Sequence, residues 1–77
     1  MREKVLEILS EIDEDIPSFD GDSLFDEGLL DSLTVIDIVA EFCDAFDIKI
    51  SAKYIVEENF KTVDAMVKLV ETLVGQK

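Results

Sequence analysis

The sequence has no histidine, one cysteine and one proline, and each scarcity excludes a kind of site. Without histidine, a Ser-His-Asp or Cys-His arrangement for nucleophilic catalysis does not exist in this chain. The same composition excludes a metal site built from cysteine and histidine. The lone Cys43 forms no disulfide within the chain and is typical of a small apolar residue on a helix. We therefore predict no catalytic residue and no metal ligand.

Long apolar runs and a signal-peptide pattern are also missing from the 77 residues. A chain of this length corresponds to one small domain, spanning residues 1–77, whose stability is expected to be modest. The single cysteine fits a reducing compartment. We expect a cytoplasmic monomer that does not insert stably into a membrane.

Basic residues are few and unevenly distributed. Nineteen acidic side chains stand against seven basic ones, which gives a formal net charge of −12. No lysine or arginine lies between Lys4 and Lys49, whereas fourteen acidic residues do. Such a field disfavours nucleic acids and anionic membranes as partners. It favours partner proteins with basic patches, because opposite charges accelerate encounter and select the partner.

Apolar residues recur with helical periodicity in three segments, which run from about Arg2 to Asp13, from Ser32 to Phe46 and from Thr62 to Gly75. Ser51 is a candidate cap for a short helix around Lys53 to Glu57. The predicted fold class is all-α: a small four-helix bundle of three longer helices and one short helix.

A long loop is predicted between helices one and two, over residues 14–31. Loops of this length in small domains are usually functional or disordered. This loop contains three large apolar side chains, which favour its packing against the core: Phe19, Leu24 and Phe25.

The second predicted helix has distinct faces when its residues are placed at 100° intervals. One face is a core stripe of Val35, Ile38, Val39, Phe42 and Phe46. The opposite face contains the acids Asp37, Glu41 and Asp44, and the apolar Leu33, Ile36 and Ala40 lie between the two. Apolar residues bordered by carboxylates are typical of a transient protein interface. The alternative is that these are ordinary scattered surface residues.

Ser32 lies where the acidic loop meets this helix. Serine is a common N-cap, and so is the preceding Asp31, which gives both residues an ordinary structural explanation. Gly28 permits a tight turn before them, and Leu29 and Leu30 can pack inward to hold it. Because a helix N-terminus favours a phosphate group, Ser32 is also a candidate for covalent modification by another enzyme.

Calcium binding is the alternative that the acidic loop offers. An EF-hand loop needs oxygen ligands at positions one, three, five and twelve and glycine at position six. Ile16 occupies position one if Gly21 is the sixth residue, and Thr34 occupies position twelve if Gly28 is the sixth. Neither alignment supplies the ligands, so only weak, non-specific binding of divalent ions stays open.

Several motifs follow one another along nearly the whole chain: Asp31-Ser32-Leu33, the apolar and acidic helix after it, Phe46-Asp47, Ile50, a short third helix, and Phe60-Lys61-Thr62-Val63. In this arrangement the sequence resembles the acyl carrier protein family, the phosphopantetheine-binding carriers of fatty acid, polyketide, nonribosomal peptide and D-alanine transfer systems.

The resemblance implies that Ser32 receives 4′-phosphopantetheine from a phosphopantetheinyl transferase, with Asp31 and Leu33 completing the recognised motif. The thiol of that group would hold acyl or aminoacyl cargo as a thioester. The resemblance also implies a surface read by the loading ligase and by downstream acyl-transfer enzymes with basic patches, made of Leu33, Ile36, Asp37, Ala40, Glu41 and Asp44.

Three positions and one segment bear on the kind of cargo. Fatty-acid carriers commonly have an acid where this chain has Thr34, and a denser acidic cluster where it has Cys43 and Ala45. The approach Asp26-Glu-Gly-Leu-Leu-Asp31 is closer to D-alanyl and aminoacyl carriers. We expect a carrier rather than an enzyme, serving fatty-acid or related acyl biosynthesis. The alternatives are a D-alanyl, aminoacyl or nonribosomal peptide carrier and, from another class, a small acidic adaptor or chaperone without a prosthetic group.

Overall fold

The computed structural model describes residues 1–76 and contains four α-helices: α1 (Arg2–Ile12), α2 (Ser32–Phe46), α3 (Glu57–Phe60) and α4 (Val63–Gly75). A 3₁₀ turn at Ala52–Tyr54 precedes α3, and no strand occurs within residues 1–76. Helix α1 packs against α2 and α4, α2 also packs against α4, and α3 packs against α4. The predicted all-α bundle of three longer helices and one short helix is confirmed.

The helix boundaries follow from local capping. Helix α4 begins after Thr62, whose hydroxyl accepts a hydrogen bond of 3.1 Å from the amide of Ala65. Helix α2 ends at Phe46 and is followed by its C-cap Asp47, which adopts a left-handed conformation with φ 53°. Helix α1 stops one residue before the predicted Asp13, which is extended and serves as its C-cap.

One hydrophobic core joins all four helices and the loop between α1 and α2. The predicted stripe of α2 lies in it, with Val35, Ile38 and Phe42 buried and with Val39 and Phe46 partly buried against it. The largest fully buried side chains are Phe42, Phe60, Leu9, Ile16, Leu24, Ile38, Met66, Val5 and Val70. Burying this apolar surface is the main contribution to the stability of the fold.

The long loop packs against the core, as its apolar residues predicted. Leu24 is fully buried, and Phe19 and Phe25 are partly buried against the core. The amide of Leu24 donates a 2.7 Å hydrogen bond to the carbonyl oxygen of Lys61, just before α4. The loop is therefore held by both its side chains and its backbone.

The short helix predicted around Lys53 to Glu57 was wrong in position. The structure has the 3₁₀ turn at Ala52–Tyr54 and then α3 at Glu57–Phe60, separated by Ile55 and the extended Val56. β-Branched residues lose side-chain freedom in a helix, which favours a break at this pair. Ser51 precedes the 3₁₀ turn, but its side chain makes no capping hydrogen bond.

Candidate functional site

The turn that leads into α2 is tightly hydrogen-bonded. The amides of Leu29 and Leu30 donate to the carbonyl oxygen of Leu24, at 3.0 and 3.3 Å, and Leu30 is buried. Gly28 has φ 77°, a left-handed conformation that other residues adopt at a cost. The expected inward packing is confirmed for Leu30 and in part for Leu29, which is partly buried against the core, and the tight turn at Gly28 is confirmed. The backbone before Ser32 therefore has a defined path.

Asp31 is the N-cap of α2, and Ser32 is its first helical residue. The Asp31 Oδ1 atom accepts hydrogen bonds from the amide of Thr34 at 2.9 Å and from its hydroxyl at 3.0 Å. These two hydrogen bonds, that of the amide first, lower the pKa of Asp31 below its ordinary value of 3.8. Asp31 is therefore ionised at neutral pH.

The Ser32 side chain is exposed, and within residues 1–76 its hydroxyl takes part in no hydrogen bond. Capping of α2 is performed by the neighbouring carboxylate rather than by this hydroxyl. Of the two capping explanations that the sequence allowed, only the one for Asp31 is confirmed. The Ser32 hydroxyl is consequently available to another molecule.

An open groove of about 410 Å³ lies beside Ser32. We call it the Ser32 cleft; it is lined by Phe25, Ser32, Val35, Ile36, Ile55, Val56 and Glu57. Ile36 is 58% exposed on α2, while Ile55 and Val56 are 37% and 46% exposed in the segment before α3. The cleft is therefore mainly apolar, with the buried Val35 in its lining and with Ile36, Ile55 and Val56 open to solvent.

The sequence did not predict the second side of this cleft. Ile55 and Val56 are distant from α2 along the chain, and a short segment without periodicity gives no indication of which side chains are exposed. Their one signal was that two adjacent apolar residues precede a pair of glutamates. Phe25 was expected to pack inward, and it does so only in part.

The outer face of α2 has the composition that the sequence predicted. Leu33 is 75% exposed, and Ile36, Ala40 and the acids Asp37, Glu41 and Asp44 are exposed as well. We call these six residues the α2 strip. An exposed apolar surface with adjoining charges is typical of an interaction site.

Two expectations concern other chemistry. Cys43 is a free thiol, partly buried and packed against the core, as expected of a small apolar residue on a helix. Among residues 1–76, the carboxylates and the cysteine form no cluster that can hold a metal ion. None of the helices in that range combines the length and apolar content required to span a bilayer.

Comparison with known proteins finds the same family that the sequence resembles. A family model for the phosphopantetheine attachment site matches residues 2–70. The D-alanyl carrier proteins of Bacillus cereus (strain B4264) and Bacillus anthracis (strain CDC 684 / NRRL 3495) are each 35% identical to the chain over 74 residues. That alignment covers 94% of this chain and 94% of each relative. No solved structure matches the chain significantly.

These matches, together with the helical bundle, define a class of small proteins that carry a prosthetic group. The chain belongs to the phosphopantetheine-binding carrier family. Its prosthetic group is 4′-phosphopantetheine, as expected. Carriers of this family are not catalytic, which confirms that the chain is not an enzyme and leaves the adaptor without a prosthetic group unsupported. Such carriers work with a phosphopantetheinyl transferase and with ligases.

Proposed function

We propose that residues 1–77 form one carrier domain in which the Oγ atom of Ser32 holds 4′-phosphopantetheine through a phosphodiester bond. The observation that supports this most strongly is the exposed hydroxyl of Ser32 at the start of α2, which has no hydrogen-bond partner among residues 1–76 and lies next to an apolar cleft. In the attachment reaction the Ser32 oxygen attacks the phosphorus of coenzyme A that bears the pantetheine. The pyrophosphate bond breaks, adenosine 3′,5′-bisphosphate leaves, and the serine proton passes to a base of the transferase.

The surroundings of Ser32 fit this group. The start of α2 favours the negative charge of a phosphodiester, because the positive end of the helix dipole lies there. Ile36, Ile55 and Val56 offer apolar contacts to the uncharged part of the group. When bound, the group supplies a terminal thiol on which cargo is held as a thioester.

The α2 strip is our candidate surface for partner enzymes, with Asp31 and Leu33 next to the attachment point for the transferase. Its apolar members would provide affinity, whereas Asp37, Glu41 and Asp44 would attract basic patches and set the orientation. Holding cargo on a domain that docks repeatedly raises the effective concentration of that cargo at each partner.

For the cargo, we propose a small aminoacyl group of the D-alanyl type rather than a fatty acyl chain. Relatives that are 35% identical to this chain are named D-alanyl carrier proteins, which supports this kind of cargo. The structure is consistent with a small cargo, because the cleft is open and the core contains fully buried Phe42 and Phe60. A long chain would have to displace such side chains, whose removal or rearrangement is costly.

Attachment is tested by intact-protein mass spectrometry after incubation with coenzyme A and a broad-specificity transferase. We expect the wild-type protein to gain the mass of one phosphopantetheine and the Ser32→Ala variant to gain none. Ser51→Ala is the matched control, since Ser51 is also an exposed serine before a helical turn and makes no side-chain capping bond. Modification of a folded Ser32→Ala protein would refute the assignment.

Cargo is tested by loading the modified carrier with purified ligases. A D-alanine ligase with ATP is expected to form a hydroxylamine-sensitive adduct on the wild-type carrier, and a fatty acyl ligase is expected to form little. Preferential loading by the fatty acyl ligase would overturn the aminoacyl proposal and would leave the Ser32 assignment intact.

The α2 strip is tested by reversing two of its charges. Asp37→Lys combined with Asp44→Lys should slow loading about tenfold or more at low salt, because steering of a charged encounter contributes at least that much, and the defect should shrink as salt is added. Glu7→Lys combined with Glu11→Lys makes the same change in net charge on α1 and should have a smaller effect. Equal effects of the two double variants would show that total charge matters and that the strip does not.

A further inference from the structure

The N-cap of α2 accepts one more side-chain hydrogen bond than the N-cap of α4 does. In α4 the cap residue Thr62 accepts a single hydrogen bond, from the amide of Ala65 three residues later. In α2 the equivalent bond runs from the amide of Thr34 to Asp31, and the Thr34 hydroxyl adds a second bond to the same Oδ1 atom. Because α4 begins without a second bond of this kind, the hydrogen bond from the Thr34 hydroxyl is not required to start a helix.

The direction of this hydroxyl is also unusual for a threonine in a helix. Helical threonines commonly bond to a backbone carbonyl three or four residues earlier. Thr72 does so in α4, where its hydroxyl donates to the carbonyl oxygen of Lys68 at 2.9 Å. The hydroxyl of Thr34 instead donates to a side-chain carboxylate, so it restricts the rotation of that carboxylate.

The carboxylate that Thr34 restricts belongs to Asp31, the residue directly before Ser32. Both hydrogen bonds from Thr34 end on Oδ1 of Asp31, and the carboxylate is exposed at the surface. Oδ2 therefore remains in a defined orientation, from which it can accept a bond from a cationic group of a docked enzyme. The lowered pKa of Asp31 is consistent with a carboxylate that stays charged for this role.

From this geometry we propose that Thr34 is a positioning residue for phosphopantetheine attachment, which holds the Asp31 carboxylate in the rotamer that the transferase recognises. The inference rests on the proposed attachment at Ser32. Thr34 acts through Asp31 and does not touch the reacting atoms. Its contribution should therefore lie in recognition of the carrier rather than in the chemical step.

The central variant is Thr34→Val, which keeps the shape and the backbone amide of Thr34 but removes its hydroxyl. Docking must then immobilise a carboxylate that is held by the amide of residue 34 alone, and ordering one such side chain corresponds to about a two- to tenfold rise in KM. We expect that rise for modification by the transferase, with kcat unchanged. Thr34→Ser retains a hydroxyl and should restore the wild-type KM. Thr72→Val is the matched control on α4 and should not change KM.

A second measurement does not depend on activity. The Hα–Hβ coupling constants of Asp31 in solution NMR should report one side-chain rotamer in the wild type and in Thr34→Ser, and a larger share of other rotamers in Thr34→Val, where only the amide hydrogen bond remains. In a background of Asp31→Ala, adding Thr34→Val should raise KM no further, because the two residues act as one unit.

The proposal is overturned if Thr34→Val has the KM of the wild type, if Thr34→Ser is as impaired as Thr34→Val, or if Thr34→Val raises KM further without the Asp31 carboxylate. The Ser32→Ala variant separates this result from the proposed function. If that variant is still modified, both proposals fail. If it is unmodified while Thr34→Val behaves like the wild type, the attachment site stands and only the role of Thr34 is lost.

Discussion

Helices α2 and α4 are both rich in apolar residues, but they place those residues differently. Helix α4 has 13 residues and buries six of them, namely Val63, Met66, Val67, Leu69, Val70 and Leu73. Helix α2 has 15 residues and buries only Val35, Ile38 and Phe42, whereas Leu33 and Ile36 are exposed. The apolar residues of α4 thus serve the core. Part of those in α2 remain on the surface beside Ser32, where they are available to partners.

The sharpest test of this difference compares the same substitution on the two helices. Leu73→Ala on α4 should lower the free energy of unfolding by about 2–5 kcal/mol, because it leaves a cavity in the core. Leu33→Ala on α2 should change it by less than about 0.5 kcal/mol, since that side chain is 75% exposed. Urea denaturation followed by circular dichroism measures both, and similar losses would contradict the division between the helices.

A second comparison concerns the turn before α2 and the end of α4. Gly28 and Gly75 both have open space where a Cβ atom would be added, but only Gly28 has a positive φ, of 77°. Gly28→Ala should therefore destabilise the protein by about 1–2 kcal/mol through backbone strain alone. Gly75→Ala should be neutral or stabilising by up to about 1 kcal/mol. Thermal denaturation of the two variants tests this, and equal melting temperatures would argue against the left-handed turn.

The smallest expected difference is in how the stabilities provided by the N-caps Asp31 and Thr62 depend on pH. The folded pKa of Asp31 is lowered, so its charged cap contributes stability that is complete above the ordinary value of 3.8 and is lost as the pH falls through the folded pKa. The neutral cap Thr62 has no such dependence in that range. Thr62→Ala should therefore cost about 0.5–2 kcal/mol at every pH at which the protein folds.

The pH dependence is measured by urea denaturation in steps between neutral and strongly acidic pH. The stability difference between the wild type and Asp31→Asn should be constant near neutrality and should shrink below pH 3.8. A difference that stays constant throughout the acid range would show that the charge of Asp31 does not contribute to the α2 cap.

Much of the fold could be predicted from the sequence, because its long helices are strongly periodic. The start of α2 at Ser32 and its end at Phe46 agree with the prediction, as does the loop that packs through Leu24. The short third helix was predicted at the wrong position, because a segment of so few residues is too short to show a hydrophobic period. Local hydrogen bonds determine the conformation of this segment instead. One such bond runs from the Asn59 side chain to the carbonyl oxygen of Tyr54 at 2.8 Å.

The site was predictable only in part. The residues of α2 were identified because they follow one another along a single helix, whereas Ile55 and Val56 reach the Ser32 cleft through tertiary packing. The hydrogen bonds between Thr34 and Asp31 depend on rotamers, which a pattern of residue types does not specify. Residue types on one helix do not specify the cargo, so the choice between fatty acyl and D-alanyl cargo stays a matter for the loading experiment.

The hydrogen bond from the Leu24 amide to the Lys61 carbonyl has a consequence for how cargo would travel. It ties the segment that leads to Ser32 to the backbone just ahead of α4, which limits the displacement of the proposed attachment point relative to the bundle. Most of the reach between enzymes would then come from tumbling of the whole domain and from rotation about the single bonds of the linkage. A partner that docks on the bundle would therefore fix the position of the Ser32 oxygen, from which the proposed prosthetic group extends.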